Sequence, residues 1–142
     1  MKEIEVNHFT KDYGSGRGVF DVSFEVNKGE VFGFLGPNGA GKSTTIRHLM
    51  GFSKPQKGNT KILGLDSFQN YTSFMDKVGY LPGEIALPDG LTGIEFLDMM
   101  KKMKKCKDEE WIKYLIDYFE LDARGETKRM SLGVKRKLAV VV

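Results

Sequence analysis

A glycine-rich stretch at residues 36–43 carries the residue types that hold phosphate groups. Its sequence, Gly36-Pro37-Asn38-Gly39-Ala40-Gly41-Lys42-Ser43, matches the pattern GxxxxGK[ST] in full. Glycine permits backbone conformations that other residues avoid, so consecutive amides of this stretch can turn inward around a phosphate. We expect Lys42 to neutralise charge on the outer phosphates and the Ser43 hydroxyl to ligate a Mg²⁺ ion that bridges two of them. Thr44 and Thr45 can add hydroxyls or amides nearby.

The elements around this stretch follow the order that a phosphate-binding loop requires. Residues 31–35 (VFGFL) run apolar without alternation, which predicts a strand covered on both faces. After the loop, apolar residues recur at helical spacing, namely Ile46, Leu49 and Met50. This spacing predicts a helix from Lys42 with Gly51 at its C-terminal end.

Four further segments predict short strands. Residues 3–7 and 22–26 alternate apolar and polar side chains, which is typical of half-buried strands that precede the loop. Residues 60–63 and 78–81 predict two more strands, and prolines and glycines follow the second of them.

The last third of the chain predicts helices. Thr92 and Glu95 form a capping box at a helix start, and Ser131 can cap a final helix that begins near Gly133. Apolar stripes at helical spacing comprise Ile94, Leu97 and Met100 in one helix and Trp111, Leu115 and Tyr118 in the next.

Composition narrows the function classes. The 142 residues, 40% of them apolar, suit one domain with a buried core, and a net charge of +3 does not favour nucleic-acid binding. The lysine cluster at residues 101–107 is interpreted as the solvated side of a helix. One cysteine, Cys106, excludes an intrachain disulfide and favours the cytosol. No signal peptide or apolar run of roughly 18 residues is present, so we expect any membrane role to be peripheral.

The loop sequence GPNGAGKSTT resembles the Walker A segment of ABC-type ATPases, and the resemblance extends along essentially the whole chain. It implies an α/β P-loop fold with an antiparallel strand layer, part of a parallel core sheet and a helical subdomain. Residues 1–142 would form an incomplete ATP-binding domain. Its parts would be the strand layer and P-loop core (1–90), the helical subdomain (91–130) and the signature helix (131–142), with the C-terminal core absent.

The resemblance also assigns residues outside the loop. In this family an aromatic side chain upstream of the loop stacks on adenine, and Tyr13 occupies that position, with Phe20 as the alternative. The segment Met130-Ser131-Leu132-Gly133-Val134 resembles the family's LSGGQ signature, which contacts the γ-phosphate bound by a second subunit. Leu132 and Val134 depart from the commonest form, so a plain helix cap at Ser131 stays open.

The family's Q-loop glutamine is not found at its expected place. Residues 78–84 resemble the segment that leads into it, but Gly83 occupies the likely position with Glu84 beside it. In the family this glutamine helps to coordinate Mg²⁺ and couples the nucleotide to the membrane subunit. Glu84 is interpreted either as a substitute carboxylate ligand or as an exposed loop acid.

The resemblance implies ATP and Mg²⁺ as cofactors, a membrane-spanning permease and a second ATP-binding subunit as partners, and no nucleic acid. The location would be cytoplasmic, peripheral on the inner face of the cell membrane, and the nearest family members would be export ATPases. The family's Asp-Glu pair and switch histidine do not follow the signature within these 142 residues. We therefore expect this chain to be a fragment that binds ATP with little hydrolysis. His8 and His48 do not replace those groups and are interpreted as packing or surface residues.

Three other functions fit the sequence less well. A P-loop GTPase would need DxxG and NKxD, and residues 76–79 fit only the first. A non-transport ABC ATPase that acts on nucleic acid or the ribosome is disfavoured by the near-neutral charge. A small-molecule kinase would need an arginine-rich lid, whereas Arg47, Arg124, Arg129 and Arg136 are dispersed.

The Glu84 hypothesis predicts a metal effect. If this carboxylate ligates Mg²⁺, Glu84→Ala should weaken the Mg²⁺ dependence of ATP binding severalfold, since a hard cation loses an oxygen ligand. A Mg²⁺ titration of nucleotide binding measures this, and unchanged Mg²⁺ affinity would contradict the hypothesis.

Overall fold

The first strands pair as an antiparallel sheet centred on β1. A computed structural model describes residues 1–142, and its strands are β1 (Lys2–Asp12), β2 (Gly18–Asn27), β3 (Lys57–Ile62) and β4 (Leu65–Asp66). They lie in the order β2-β1-β3-β4, and every neighbouring pair is antiparallel. The strands predicted over residues 3–7, 22–26 and 60–63 are confirmed in β1, β2 and β3, with β3 beginning earlier and ending at Ile62.

A bulge in β1 turns two apolar side chains to the same face. Val6 is 1% exposed and Phe9 is 0% exposed, although strict alternation would send residues three apart to opposite faces. The register with β2 shifts between them, and His8 has φ +46°. Both side chains therefore enter one apolar core, which also contains Val19, Leu49, Ile62 and Phe74.

The predicted helix after the loop is confirmed as α1 (Lys42–Leu49). Gly51 follows its end with φ +74°, and the Gly51 amide donates to the carbonyl of His48 at 3.0 Å. A Cβ at Gly51 would lie 2.4 Å from the carbonyl oxygen of Ser67. Only glycine fits this turn, because the backbone is left-handed and a second segment passes close by.

Residues 31–35 and 78–81 are not strands, and those two predictions were wrong. No strand pairs with either segment, so these residues do not form the predicted parallel part of the sheet. Val31 is 99% exposed and Leu35 is 92% exposed, where burial on both faces was expected. An apolar run indicates a tendency to be buried, but a strand also requires a neighbour that accepts its backbone hydrogen bonds.

Three α-helices with their own apolar cluster lie in the last third of the chain. The helices are α2 (Gly93–Met103), α3 (Glu109–Tyr118) and α4 (Leu132–Val141), and the buried cluster comprises Phe96, Leu121, Ala123, Leu138 and Val141. The capping box of α2 is confirmed. The Glu95 amide donates to the Thr92 hydroxyl at 3.2 Å, and the Thr92 amide donates to the Glu95 carboxylate at 2.7 Å.

The apolar face of α3 differs from the predicted stripe. Leu115 and Ile116 pack against the cluster, but Trp111 is 54% exposed and Tyr118 is 67% exposed. With Tyr114 they form a row of stacked rings whose centroids are 5.2 and 5.8 Å apart. Helical spacing is the same for a buried stripe and for an exposed row of rings, so spacing alone misassigned the two aromatic residues.

Contacts divide the chain between Tyr80 and Leu81 into two compact units. The division expected from the sequence lay after residue 90 and set residues 131–142 apart. In the structure, α4 belongs to the second unit, because Leu138 and Val141 enter its apolar cluster. None of the helices has the length and apolar character needed to span a bilayer.

Acid should weaken the start of α2. Hydrogen bonds from the Thr92 amide and hydroxyl hold the pKa of Glu95 below its usual value. A carboxyl whose pKa is lower in the folded state stabilises the fold above its unfolded pKa, and this contribution is lost as pH falls through the folded pKa. The melting-temperature difference between wild type and Glu95→Gln should therefore shrink as pH falls from about 6 to below about 4.

Circular dichroism melts across this pH range measure the difference. Glu110→Gln is the matched control, because Glu110 lies in the first turn of α3 and its carboxylate makes no hydrogen bond within the structure. Its difference should vary much less with pH. A Glu95→Gln difference that stays constant down to pH 3 would contradict the expectation.

Candidate phosphate-binding site

The glycine-rich loop lies exposed between residues 31–35 and α1, and one buried contact holds it. Gly39 has φ +83° and Gly41 has φ +90°. Gly41 is the N-cap of α1, and a Cβ there would lie 2.3 Å from Cγ2 of Val19 and 3.1 Å from the Gly18 carbonyl oxygen. The start of β2 therefore presses directly on the cap of α1, and this closeness requires glycine at position 41.

Most amides of the loop and of the first turn of α1 have no acceptor. The Ala40 amide donates to Pro37 at 3.1 Å and the Thr45 amide to Gly41 at 2.9 Å. From Asn38 to Thr44, the amides without an acceptor are those of Asn38, Gly39, Gly41, Lys42, Ser43 and Thr44. No side chain caps α1, and its first turn has no acidic residue. Four of these N–H groups lie at the positive end of the helix dipole and two precede it in the loop, and such a group can hold an anion.

The charged side chain of Lys42 is hydrogen-bonded to the backbone of its own loop. Its ammonium donates to the carbonyl of Gly36 at 2.6 Å and to that of Pro37 at 2.8 Å. An ammonium has three N–H donors, so one is left for an external acceptor. The side chain therefore braces the loop backbone and adds a positive charge beside the free amides.

The three hydroxyl residues that follow Lys42 differ in which of their polar groups are free to bind a ligand. Ser43 is exposed, and its hydroxyl makes no hydrogen bond within the chain. Thr44 has a free amide. Thr45 is 1% exposed, and both its hydroxyl and its amide donate to the Gly41 carbonyl, at 3.0 and 2.9 Å. Both polar groups of Thr45 therefore hold the first turn of α1, and its contribution to ligand binding stays a prediction.

A magnesium ion fits this donor set only together with a nucleotide. Ser43 supplies one hard oxygen ligand, and no group of three or more His, Cys, Asp or Glu side chains is placed to hold a metal ion. Mg²⁺ commonly takes one or two protein oxygens and completes its shell with phosphate and water. The predicted role of Ser43 is compatible with that chemistry.

The two histidines have the packing and surface roles that were predicted. His48 is 1% exposed, its ring lies 4.7 Å from that of Phe9, and its Nδ1 is 2.7 Å from the Thr44 carbonyl oxygen. His8 is largely exposed, and its Nδ1 lies 2.7 Å from a carboxylate oxygen of Asp21. His48 thus packs α1 against Phe9 of β1, while His8 belongs to the surface bulge.

The aromatic candidate Tyr13 lies in the turn that joins β1 to β2. It is 57% exposed, and the Lys11 ammonium lies 5.7 Å from its ring centroid. Because that ammonium covers one face of the ring, an aromatic ligand has the opposite face. Phe20, the alternative, is 51% exposed on β2, so exposure alone does not choose between them. The role of Tyr13 in stacking stays a prediction.

The residues predicted for the signature and the Q-loop belong to the second unit. Ser131 is the N-cap of α4, and its hydroxyl accepts from the Val134 amide at 3.3 Å. The amides of Leu132 and Gly133 have no acceptor. Glu84 is exposed in an irregular segment beside Gly83 and makes no hydrogen bond. The helix cap at Ser131 is confirmed, while its role as a signature residue and the roles of Gly83 and Glu84 stay predictions.

One residue of the site could not have been found from the sequence. Val19 is 3% exposed and contacts Gly41 across 22 residues of chain. The strand predicted over residues 22–26 begins after it, and no local pattern links an apolar residue in β2 to the cap of α1. Only the tertiary structure reveals that Val19 positions the loop.

The sequence is similar to a known protein family and to known proteins along most of the chain. The family pattern described as ABC transporter matches residues 19–142. YhcH, an ABC transporter ATP-binding protein of Bacillus subtilis, is 34% identical over 139 residues, which cover 96% of this chain and 46% of YhcH. BcrA, the bacitracin transport ATP-binding protein of Bacillus licheniformis, is 33% identical over 141 residues, which cover 96% of this chain and 45% of BcrA. The chain thus spans somewhat under half the length of these relatives.

The fold has a solved counterpart. An ATP-binding subunit of an ABC transporter superposes with a TM-score of 0.83 at 28% identity, covering 98% of this chain and 60% of that one. This similarity confirms the predicted α/β class of ABC type.

Substitution at Gly41 tests the contact with Val19. Gly41→Ala should destabilise the chain by about 2 to 4 kcal/mol, since alanine adds left-handed backbone strain and a clash with Val19. Gly39→Ala is the matched control, because Gly39 has a similar φ and a Cβ there meets no atom within 4 Å. It should cost only about 1 to 2 kcal/mol.

Urea unfolding measures both variants. Replacing Val19 by Ala in the Gly41→Ala background should recover part of the loss, because it removes the methyl that clashes. Equal destabilisation by Gly41→Ala and Gly39→Ala would show that the contact does not constrain the loop.

Proposed function

Since the chain belongs to the family of ABC transporter ATP-binding proteins, we propose that it binds the phosphates of ATP with Mg²⁺. In the whole protein this binding, followed by hydrolysis, would power movement of a substrate across a membrane. The observation that carries the proposal is the arrangement at the start of α1. There, six amides without acceptors lie within four residues of a lysine whose ammonium is fixed by two carbonyls of its own loop.

Each part of the loop has a separate task in this proposal. The free amides from Asn38 to Thr44 bind the phosphate oxygens, and Lys42 uses its remaining donor on the outer phosphates. Mg²⁺ compensates phosphate charge when it is bound, and Ser43 is the residue that would ligate it. The adenine base would stack on the free face of Tyr13.

The N-terminus of α4 supports one of the two proposed partners, a second ATP-binding subunit. The first turn of α4 has no acidic residue, and Leu132 and Gly133 offer free amides beside the Ser131 hydroxyl. We infer that this end of α4 contacts the γ-phosphate of ATP bound to a second ATP-binding subunit. A membrane-spanning permease would be the other partner, and the chain would then lie on the inner face of the cell membrane. The transported substrate is not assigned.

Hydrolysis by these 142 residues alone is expected to be slow. Phosphoryl transfer to water needs a group that orients the attacking water in addition to charge compensation. No carboxylate is hydrogen-bonded to Lys42 or to the hydroxyls of Ser43 and Thr44 within the chain. The loop therefore supplies binding and charge but no general base.

The proposal predicts ATP binding that depends on Lys42. Lys42→Ala should weaken binding of a fluorescent ATP analogue in the presence of Mg²⁺ by at least about tenfold, because a charge-assisted contact to phosphate and the brace across the loop are lost together. Phosphate release, followed in the same samples, should stay near background for both proteins.

Lys28→Ala is the matched control. Lys28 is an exposed lysine at the far end of β2 from Gly18, roughly 30 Å along the strand, so its removal should leave affinity unchanged. Failure of the wild-type chain to bind ATP, or equal binding by Lys42→Ala, would refute the proposed function. Rapid turnover would refute the part that concerns hydrolysis.

A further inference from the structure

The turn between β1 and β2 connects the predicted base-binding residue to the phosphate loop. The Tyr13 amide donates to the Arg17 carbonyl at 2.8 Å, and the Arg17 amide donates to the Gly14 carbonyl at 3.1 Å. The Gly14 amide in turn donates to the Asp12 carboxylate at 2.7 Å. These three bonds give the turn a defined shape in which Tyr13 and Arg17 are directly paired.

The other side of this turn touches the cap of α1. Gly18 and Val19 are the residues that approach Gly41, and Gly18 follows Arg17 directly. Consecutive Cα atoms are about 3.8 Å apart, so Arg17 stands one residue from the contact that positions the phosphate loop. Arg17 is therefore linked to Tyr13 by a hydrogen bond and to the loop through its neighbour.

The charge of Arg17 has no partner within the chain. Its side chain is exposed and makes neither an ion pair nor a hydrogen bond, whereas Arg124 and Arg129 both pair with carboxylates. The two nearest acids in sequence are Asp21 and Asp12. The Asp21 carboxylate pairs with His8, and the Asp12 carboxylate accepts from the Gly14 amide. A guanidinium in this state is free to bind an anion brought by a ligand.

We propose that Arg17 binds the inner phosphate of the nucleotide, the one joined to the ribose. This rests on the proposed ATP binding and adds a residue that the phosphate-loop motif does not include. With the base on Tyr13 and the outer phosphates on Lys42, the inner phosphate lies between the two groups that the turn connects. The planar fork of arginine can donate two parallel hydrogen bonds to phosphate oxygens.

The inference makes a distinctive prediction about ligands. Arg17→Ala should weaken binding of ATP, ADP and inorganic tripolyphosphate by a similar factor of roughly ten, because each loses the contact of one phosphate with Arg17. In tripolyphosphate, which has no ribose, the innermost phosphate of the bound chain takes the same place. Arg17→Lys should recover only part of the affinity, since an ammonium keeps the charge but not the fork. Isothermal titration with each ligand, on the full 142-residue chain, measures these affinities.

Two controls make the outcome decisive. Arg47→Ala removes another exposed arginine without an ion pair, in the last turn of α1, and should leave all three affinities unchanged. The melting temperature of Arg17→Ala should equal that of wild type, because the side chain makes no contact that stabilises the fold.

The results separate this inference from the proposed function. If wild type binds ATP through Lys42 but Arg17→Ala binds equally well, the role of Arg17 is refuted and ATP binding stands. If Arg17→Ala loses ATP but keeps tripolyphosphate, the residue serves the base or the ribose, and the phosphate assignment is refuted. If wild type binds none of the ligands, both proposals fail.

Discussion

The close approach of Gly41 to Val19 is the constraint on which the phosphate loop depends. The loop itself is exposed, but Val19 belongs to the buried core with Val6 and Phe9. A missing Cβ at Gly41 lets this core reach the N-cap of α1, and the left-handed φ of +90° at Gly41 turns the chain from loop into helix. Packing of the antiparallel sheet thus fixes where the free amides of α1 begin.

Lys42 lies where free amides already concentrate positive charge, and part of its own charge is compensated within the loop. Four free amides at the start of α1, with two more in the loop before it, concentrate partial positive charge, and a lysine there adds a full charge. The ammonium donates two hydrogen bonds, to the carbonyls of Gly36 and Pro37, and these carbonyls compensate part of its charge. The remaining positive charge is available to an anion. Until an anion binds, this uncompensated charge lowers the local stability of the loop.

What the sequence predicts well is local, and what it misses depends on distant partners. The capping box at Thr92, the cap at Ser131 and the helix from Lys42 each rest on residues within one or two turns, and all three are confirmed. The strands expected at residues 31–35 and 78–81 require neighbours that no local pattern specifies, and they are not formed. The same limit explains why the contact of Val19 with Gly41 could not be predicted.

The four helix starts show which ends serve the fold and which are available to a ligand. The first turns of α2 and α3 contain acidic residues, and the side chains of Thr92 and Asp108 cap them, so the chain itself satisfies most of those amides. The first turns of α1 and α4 contain no acid. At α4 the Ser131 hydroxyl takes one amide, whereas at α1 no side chain takes any. Since an acid in the first turn would compete with a bound phosphate, its absence at these two ends is what an anion site requires. The charge at the helix starts therefore singles out α1 and α4 without reference to any motif. These are the same two helices that begin at the phosphate loop and at the signature-like segment of the sequence.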